Sequence, residues 1–301
     1  MESRCYSILR ETSLMRKSLL AISVISAFAV PSLASAQTAP APDAKPSSPH
    51  TFTGNVALVS DYRFRGIDQT FAKPAIQGGF DYAHSSGFYA GNWNSNVNSG
   101  AGYPSGNLEM DLYGGWKGSW GDWGLDVGTI YYYYPGTDVS AANGTTGTFT
   151  NPRTGTVHTG SVHNQEIYIG GSWKWISLKV YDAISDYFSL PGTRNSYYWD
   201  LSANYDMGSG WGLVGHVGKL KLKGWSTGTD ATNGDYTDYK LGVTKDLSGW
   251  VLGASFIGTT AKGSCNTANP GFYCFGNMAS GATSTKDAGR STLVLSVSKT
   301  F

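Results

Sequence analysis

From Thr51 to the carboxyl terminus the chain alternates apolar and polar residues in short segments. The last nine residues read LVLSVSKTF, with Leu293, Leu295, Val297 and Phe301 on one parity and Ser296, Ser298 and Thr300 on the other. Successive side chains of a strand point to opposite faces, so this pattern predicts a strand with one apolar and one polar face. A last strand running into an aromatic carboxyl terminus suits a barrel that closes against its first strand. Lys299 is a departure, because it interrupts the apolar face.

Twelve such segments can be laid out. Residues 51–65 place Phe52, Val56, Leu58, Tyr62 and Phe64 on one face and Asn55, Asp61, Arg63 and Arg65 on the other. Residues 107–116 set Leu108, Met110, Leu112 and Trp116 against Asn107, Glu109 and Asp111. Residues 164–173 set Ile167, Ile169 and Trp173 against Asn164, Glu166 and Tyr168, and 197–205 set Tyr197, Trp199, Leu201 and Tyr205 against Asp200, Ser202 and Asn204. Weaker alternation covers 75–83, 88–95, 124–134, 176–184, 212–221, 237–245, 250–258 and 291–301. Each is close to the roughly nine to eleven residues that a tilted strand needs to cross a bilayer.

The connections sort by length. Short turns fall at 84–87, 174–175, 206–210 and 246–249, and longer polar ones alternate with them, the longest at 135–163 and 259–290. Short on one rim and long on the other, around an even strand count, predicts an all-β chain forming one transmembrane antiparallel barrel. The turns would be periplasmic and the loops extracellular. A secreted sandwich has no reason to sort its loops this way. By parity, Phe52, Tyr82, Tyr89, Trp116, Trp123, Trp173, Tyr205, Trp211, Trp250 and Phe301 lie outward at the short-turn end. Amphipathic rings favour the headgroup level, so this row is expected to be an interfacial girdle.

Composition suits a strand-built membrane protein or a secreted sandwich. Charged residues are 14% of the chain, which carries 40 Gly, 19 Tyr, 12 Phe and 10 Trp. No apolar run after residue 36 is long enough for a spanning helix. Met15-Arg16-Lys17, an apolar stretch and Ala34-Ser35-Ala36 predict a signal peptide cleaved after Ala36, with 1–14 a mis-assigned upstream start. Residues 37–50 (QTAPAPDAKPSSPH) are expected to be a flexible periplasmic spacer. The barrel proper would span 51–301. A formal net charge of +1 argues against a nucleic-acid partner, which calls for a basic excess.

The run Val59-Ser60-Asp61-Tyr62-Arg63-Phe64-Arg65-Gly66, with Gln69 and Lys73-Pro74-Ala75-Ile76-Gln77-Gly78-Gly79-Phe80-Asp81-Tyr82, resembles the TorF-type porin family of the bacterial outer membrane. Asn92-Trp93 and Leu108-Glu109-Met110-Asp111 fit it too. The resemblance covers 51–301 and implies location, architecture and, more loosely, a pore. It carries no catalytic residues.

The same parity turns Asp61, Arg63, Arg65, Asp81, Glu109, Asp111, Asp126, Glu166, Lys179, Asp200, Asp238 and Lys240 toward the lumen. Such charges can line a water-filled path or pair into a plug. A barrel of twelve strands stands between the filled eight and the open sixteen. With eight acids and four bases, the expected function is passive diffusion of small hydrophilic solutes with a mild cation preference, unless 135–163 or 259–290 folds inward. Arg63 and Arg65 would either grip an anionic group on a passing solute or pair with Asp61, Asp81 or Asp111.

Cys265 and Cys274, nine positions apart in an oxidising compartment, are expected to form a disulfide. No cofactor or metal is expected; His158 and His163 could hold a metal only weakly. An outer-wall lipid hydrolase is the rival reading. His163 has a suitable height, His216 points inward, His84 is at the wrong rim, and no serine is evident beside His163. A structural or adhesive barrel acting through its loops is the third reading. Expected partners are outer-membrane lipid and lipopolysaccharide, the barrel-assembly machinery through the strand ending at Phe301, and small solutes.

Overall fold

The computed structural model describes residues 48–99, 106–139, 149–150, 153–225, 234–261, 263–265, 271–276 and 284–301. The leader and most of the spacer lie outside the described residues. Twelve antiparallel strands close into one barrel. They are β1 (His50–Val59), β2 (Ala75–His84), β3 (Phe88–Asn96), β4 (Leu108–Trp120), β5 (Trp123–Tyr133) and β6 (His163–Trp173). Then follow β7 (Ile176–Ala183), β8 (Tyr197–Gly208), β9 (Trp211–Lys221), β10 (Tyr236–Leu247), β11 (Trp250–Thr259) and β12 (Thr292–Thr300). Each pairs with its neighbours in sequence, and β12 closes on β1 with Asn55 opposite Thr300 and Val59 opposite Ser296.

The outward face is apolar. Leu58, Ile76, Phe80, Leu112, Ile169, Leu241 and Leu295 are each more than half exposed, which suits lipid rather than water. Among the described residues no helix is long and apolar enough to cross a membrane. One rim carries tight turns at 85–87, 121–122, 174–175, 209–210 and 248–249, and the other carries every long connection.

At the short-turn rim Phe52, Tyr82, Trp116, Trp123, Trp173, Tyr205, Trp211, Trp250 and Phe301 face outward. Tyr89 does not, contrary to expectation. Phe88 takes the lipid-facing place, and Tyr89 turns inward so that its hydroxyl can donate to Asp126 Oδ1 at 2.6 Å. A buried phenol needs a partner that lipid cannot supply. The Lys299 departure also has a physical account: its ammonium lies 5.0 Å from the Trp250 ring centre, a cation resting on the belt.

A second correction concerns the first strand, expected over 51–65. The wall strand stops at Val59, and the ten residues from Asp61 to Thr70 are all buried. Ser60 anchors the departure, its hydroxyl accepting from Leu295 N at 2.9 Å. The chain then leaves the wall and forms a hairpin of Arg63–Phe64 against Ile67–Asp68. Tyr62 and Phe64, expected to face lipid, are therefore buried.

Candidate functional site

The lumen has two parts. In its long-loop half the hairpin sits among inward side chains. Its turn has positive φ at Arg65 (47°) and Gly66 (80°), the form that folds two short arms tightly. Gly66 is required for closeness as well, since a Cβ there would meet Thr259 Cγ2 at 2.5 Å and Asp238 Cβ at 2.8 Å.

The turn thrusts Arg65 into the lumen. Its Nη1 and Nη2 donate to the two carboxylate oxygens of Glu166 at 2.9 and 2.7 Å, and Nη1 also donates to Tyr187 Oη at 3.2 Å. Its guanidinium carbon lies 4.1 Å from the Tyr198 ring centre, 4.9 Å from Phe64 and 5.0 Å from Tyr181. Burial alone would favour loss of the proton, but Glu166 holds the guanidinium charged, well above its ordinary pKa.

The base of the hairpin is a second charged cluster. Arg63 grips Asp61 Oδ2 through Nε (3.0 Å) and Nη2 (2.7 Å), and its Nη1 donates to the carbonyls of Gly66, Ala288 and Arg290. Arg290 Nη1 donates to Asp68 Oδ2 at 3.1 Å. Burial pushes the Asp61 carboxyl up to about 6, with Arg63 opposing the rise and Asp68 adding to it. A third inward piece, Tyr187–Ser189, packs Phe188 against Phe64 and Tyr132 at ring distances of 5.5 and 5.4 Å.

The short-turn half carries paired polar groups on the wall. Lys179 Nζ donates to Asp126 Oδ2 at 2.6 Å, and Tyr113 donates to Asp81 Oδ1 at 2.6 Å. Nearer the long loops, beneath the hairpin, His216 bridges Asp200 (3.1 Å) and Asp238 (2.7 Å), and Tyr198 donates to Asp238 at 2.9 Å. Lys240 faces inward from β10. Glu109 faces the Tyr62 and Tyr134 hydroxyls, and Asp111 is held near Glu109 and Glu166. Neither has a basic partner among the described residues.

The expected lumen residues therefore divide. Asp81, Glu109, Asp111, Asp126, Glu166, Lys179, Asp200, Asp238 and Lys240 occupy inward wall positions. Asp61, Arg63 and Arg65 are not on the wall, because they ride on the inward hairpin. Of the pairings foreseen, Arg63 takes Asp61, whereas Arg65 takes Glu166 rather than Asp81 or Asp111. Parity had placed Tyr168 inward, but Asp68 and Arg290, and the rest of the inward row, Tyr89, Tyr113, Tyr181 and Tyr198, were not foreseen. Glycine across the strand was the available signal for the tyrosines. A Cβ on Gly218 would meet the Tyr198 hydroxyl at 1.9 Å, so the ring lies over a glycine.

The loop expectations also resolve. Among the described residues the main occupant of the lumen is 61–70, and the loop before β12 contributes Ala288 and Arg290 to the hairpin's seat. Much of 135–163 and 259–290 lies outside the described residues. Cys265 and Cys274 are disulfide-bonded with Cα atoms 5.3 Å apart. A serine does lie beside His163: Ser189 Oγ is 3.5 Å from Nδ1. That hydroxyl is occupied, accepting from His163 N at 3.0 Å and donating to His163 O at 3.2 Å, and Ser189 is buried. His158 Nε2 is 3.1 Å from Ser161 O.

A closed twelve-stranded transmembrane barrel with an apolar outer band and a charged, part-filled lumen defines a porin-like architecture. The chain belongs to the family described as bacterial protein of unknown function (Gcw_chp), whose model matches residues 43–301. No curated protein matches it. Among solved structures it is similar to a KdgM porin (6% identity, TM-score 0.45, covering 83% of this chain and 98% of that one). It is also similar to a NanC porin (9%, 0.43, 83% and 99%) and to the COG4313 outer membrane channel from Pseudomonas putida F1 (11%, 0.41, 86% and 100%). At such identities the likeness is one of architecture.

Proposed function

We propose that the protein is an outer-membrane channel for passive diffusion of small hydrophilic solutes, closed at rest by the hairpin of residues 61–70. The observation that carries this reading is what fills the lumen. The filling is a segment of the chain, held by two charged clusters and packed against other inward loops, instead of a wall-to-wall apolar core. Displacing one hairpin would leave a lumen walled by Asp81, Asp126, Lys179, Asp200, His216 and Asp238, whose polar atoms can replace part of a solute's hydration. Glu109 and Asp111 give that wall an excess of acid, so cations should pass more readily.

In this reading the TorF resemblance holds, residues 1–36 direct export, and 37–50 lie in the periplasm with the short turns. The barrel carries no catalytic role. A plugged structural or adhesive barrel is the second reading, favoured by the burial of all ten residues from Asp61 to Thr70.

Swelling of liposomes holding the refolded chain, in sugars of graded size, separates the two. Pentose entry above that of empty liposomes, increased by Arg65→Ala, supports the channel. A folded barrel that admits nothing, with or without Arg65, supports the structural reading.

A further inference from the structure

We propose that the long-loop end of β9 and the residues just after it bind the phosphates of an anionic lipid headgroup in the leaflet at that rim, through Lys219, Lys221 and Lys223. These residues share the outward parity of Trp211, Leu213 and Val217 and are exposed, while Leu220 and Leu222 between them are buried. At about 3.4 Å rise per residue and about 40° tilt, Lys219 stands about 21 Å above Trp211 and Lys221 about 26 Å. The outward apolar band of such barrels is about 25 Å tall, so Lys221 stands where hydrocarbon ends and headgroups start, and Lys219, just below, reaches that level with its long side chain. Tyr197 and Trp199, outward on β8 and paired across from Lys221 and Lys219, mark the same level.

The protein matches this charge only in part. Lys221 pairs with Asp235, and the Lys223 ammonium lies 5.5 Å from the Tyr197 ring centre. Lys219 has no hydrogen-bond, ion-pair or ring partner among the described residues. Arg194, exposed in the adjoining connection, adds a fourth cation; besides Asp235, the nearby acids are Asp182, outward on β7 opposite Tyr197, and Asp186, which accepts from Arg194 N at 3.1 Å. The outward lysines at the other rim are different. Lys245 donates to Ser209 O at 2.7 Å and rests 4.9 Å from the Trp211 ring centre, and Lys299 rests on Trp250. Cations at the short-turn rim are thus satisfied by the protein, whereas at the top of β9 Lys219 is left for the membrane, with Lys221 and Lys223 exposed beside it. Anionic lipid phosphates are the groups found at that height, and each lysine of the row acts on them as a point charge.

The inference rests on the membrane reading but not on conduction. The test is binding of bisphosphorylated lipid A to the refolded chain in neutral detergent, read as bound lipid by native mass spectrometry and counted only for the heat-shiftable folded band. Wild type should bind it more tightly than dephosphorylated lipid A. Lys219→Gln with Lys221→Gln and Lys223→Gln should weaken binding by about fivefold per lysine, whereas Lys245→Gln should leave it unchanged. Should the triple variant not fold, Lys219→Gln alone decides, with about a fivefold loss expected. Equal binding by wild type and variant overturns the proposal, as does equal binding of the dephosphorylated lipid. Full competition by inorganic phosphate also overturns it, since the site would then serve a free anion. A silent barrel that still binds the lipid would sink the channel reading and leave this one standing.

Discussion

Arg65 and Glu166 meet across the lumen, 101 positions apart in sequence, as a two-pronged ion pair of 2.9 and 2.7 Å that is almost wholly removed from water. The pair joins the tip of the inward hairpin to the opposite wall. Breaking such a pair by removing one partner costs about 3–5 kcal/mol, because the other charge is left buried. Arg65→Ala and Glu166→Ala should each speed amide exchange through residues 61–70 and leave β8 to β10 protected. Arg65→Met with Glu166→Met should cost less than the two single changes together. Uniform loss of protection around the barrel would mean that the pair holds the wall itself.

Asp61 gives the seat of the hairpin a pH dependence. Its folded carboxyl titrates at about 6 against an ordinary 3.8, so the native state holds a proton that the unfolded chain has already released. Its contribution is fully present below about pH 4 and is lost as pH rises through about 6. The groups facing it are Arg63, Asp68 and Arg290. Wild type should lose thermal stability relative to Asp61→Asn between pH 4 and 7. The opposite slope would show that the Arg63 contact outweighs the burial.

Leu112 and Glu109 lie on opposite faces of β4, one half exposed outward and the other with no exposure inside. Leu112→Arg should destabilise the barrel by roughly 2–4 kcal/mol if it lies at mid-membrane. Glu109→Gln should instead change ion preference, with a smaller effect on unfolding in urea. Equal losses would mean that the faces are assigned wrongly.

The Cys265–Cys274 bond closes a short loop, for which chain entropy gives roughly 2–3 kcal/mol. Because the bond lies outside the wall, Cys265→Ser with Cys274→Ser should expose the loop to protease while the heat-shiftable folded band persists. Loss of that band would place the disulfide in the barrel's own stability.

The wall was legible in the sequence because lipid and lumen impose opposite polarity on alternate residues, and pairs such as Leu112 and Asp111 record that directly. The hairpin was not. Its arms also alternate, Arg63 with Phe64, so a segment leaving the wall after Val59 keeps the parity of one that continues. The sign of the departure was the turn, Arg65-Gly66, which needs two residues at positive φ. Tyr89 was misplaced for a related reason: Phe88 and Tyr89 are both girdle residues by type, and the Asp126 acceptor that holds Tyr89 inward lies two strands along the wall. The partner of Arg65 lies five strands away around the wall, beyond the reach of periodicity.

The most direct measurement is single-channel conductance of the refolded chain without residues 1–36, wild type against Arg65→Ala, each confirmed by the heat-induced band shift. Wild type should be mostly closed with brief small steps, and Arg65→Ala should give longer and larger cation-preferring openings. A folded Arg65→Ala barrel that stays silent would contradict the channel and leave a plugged structural barrel in its place.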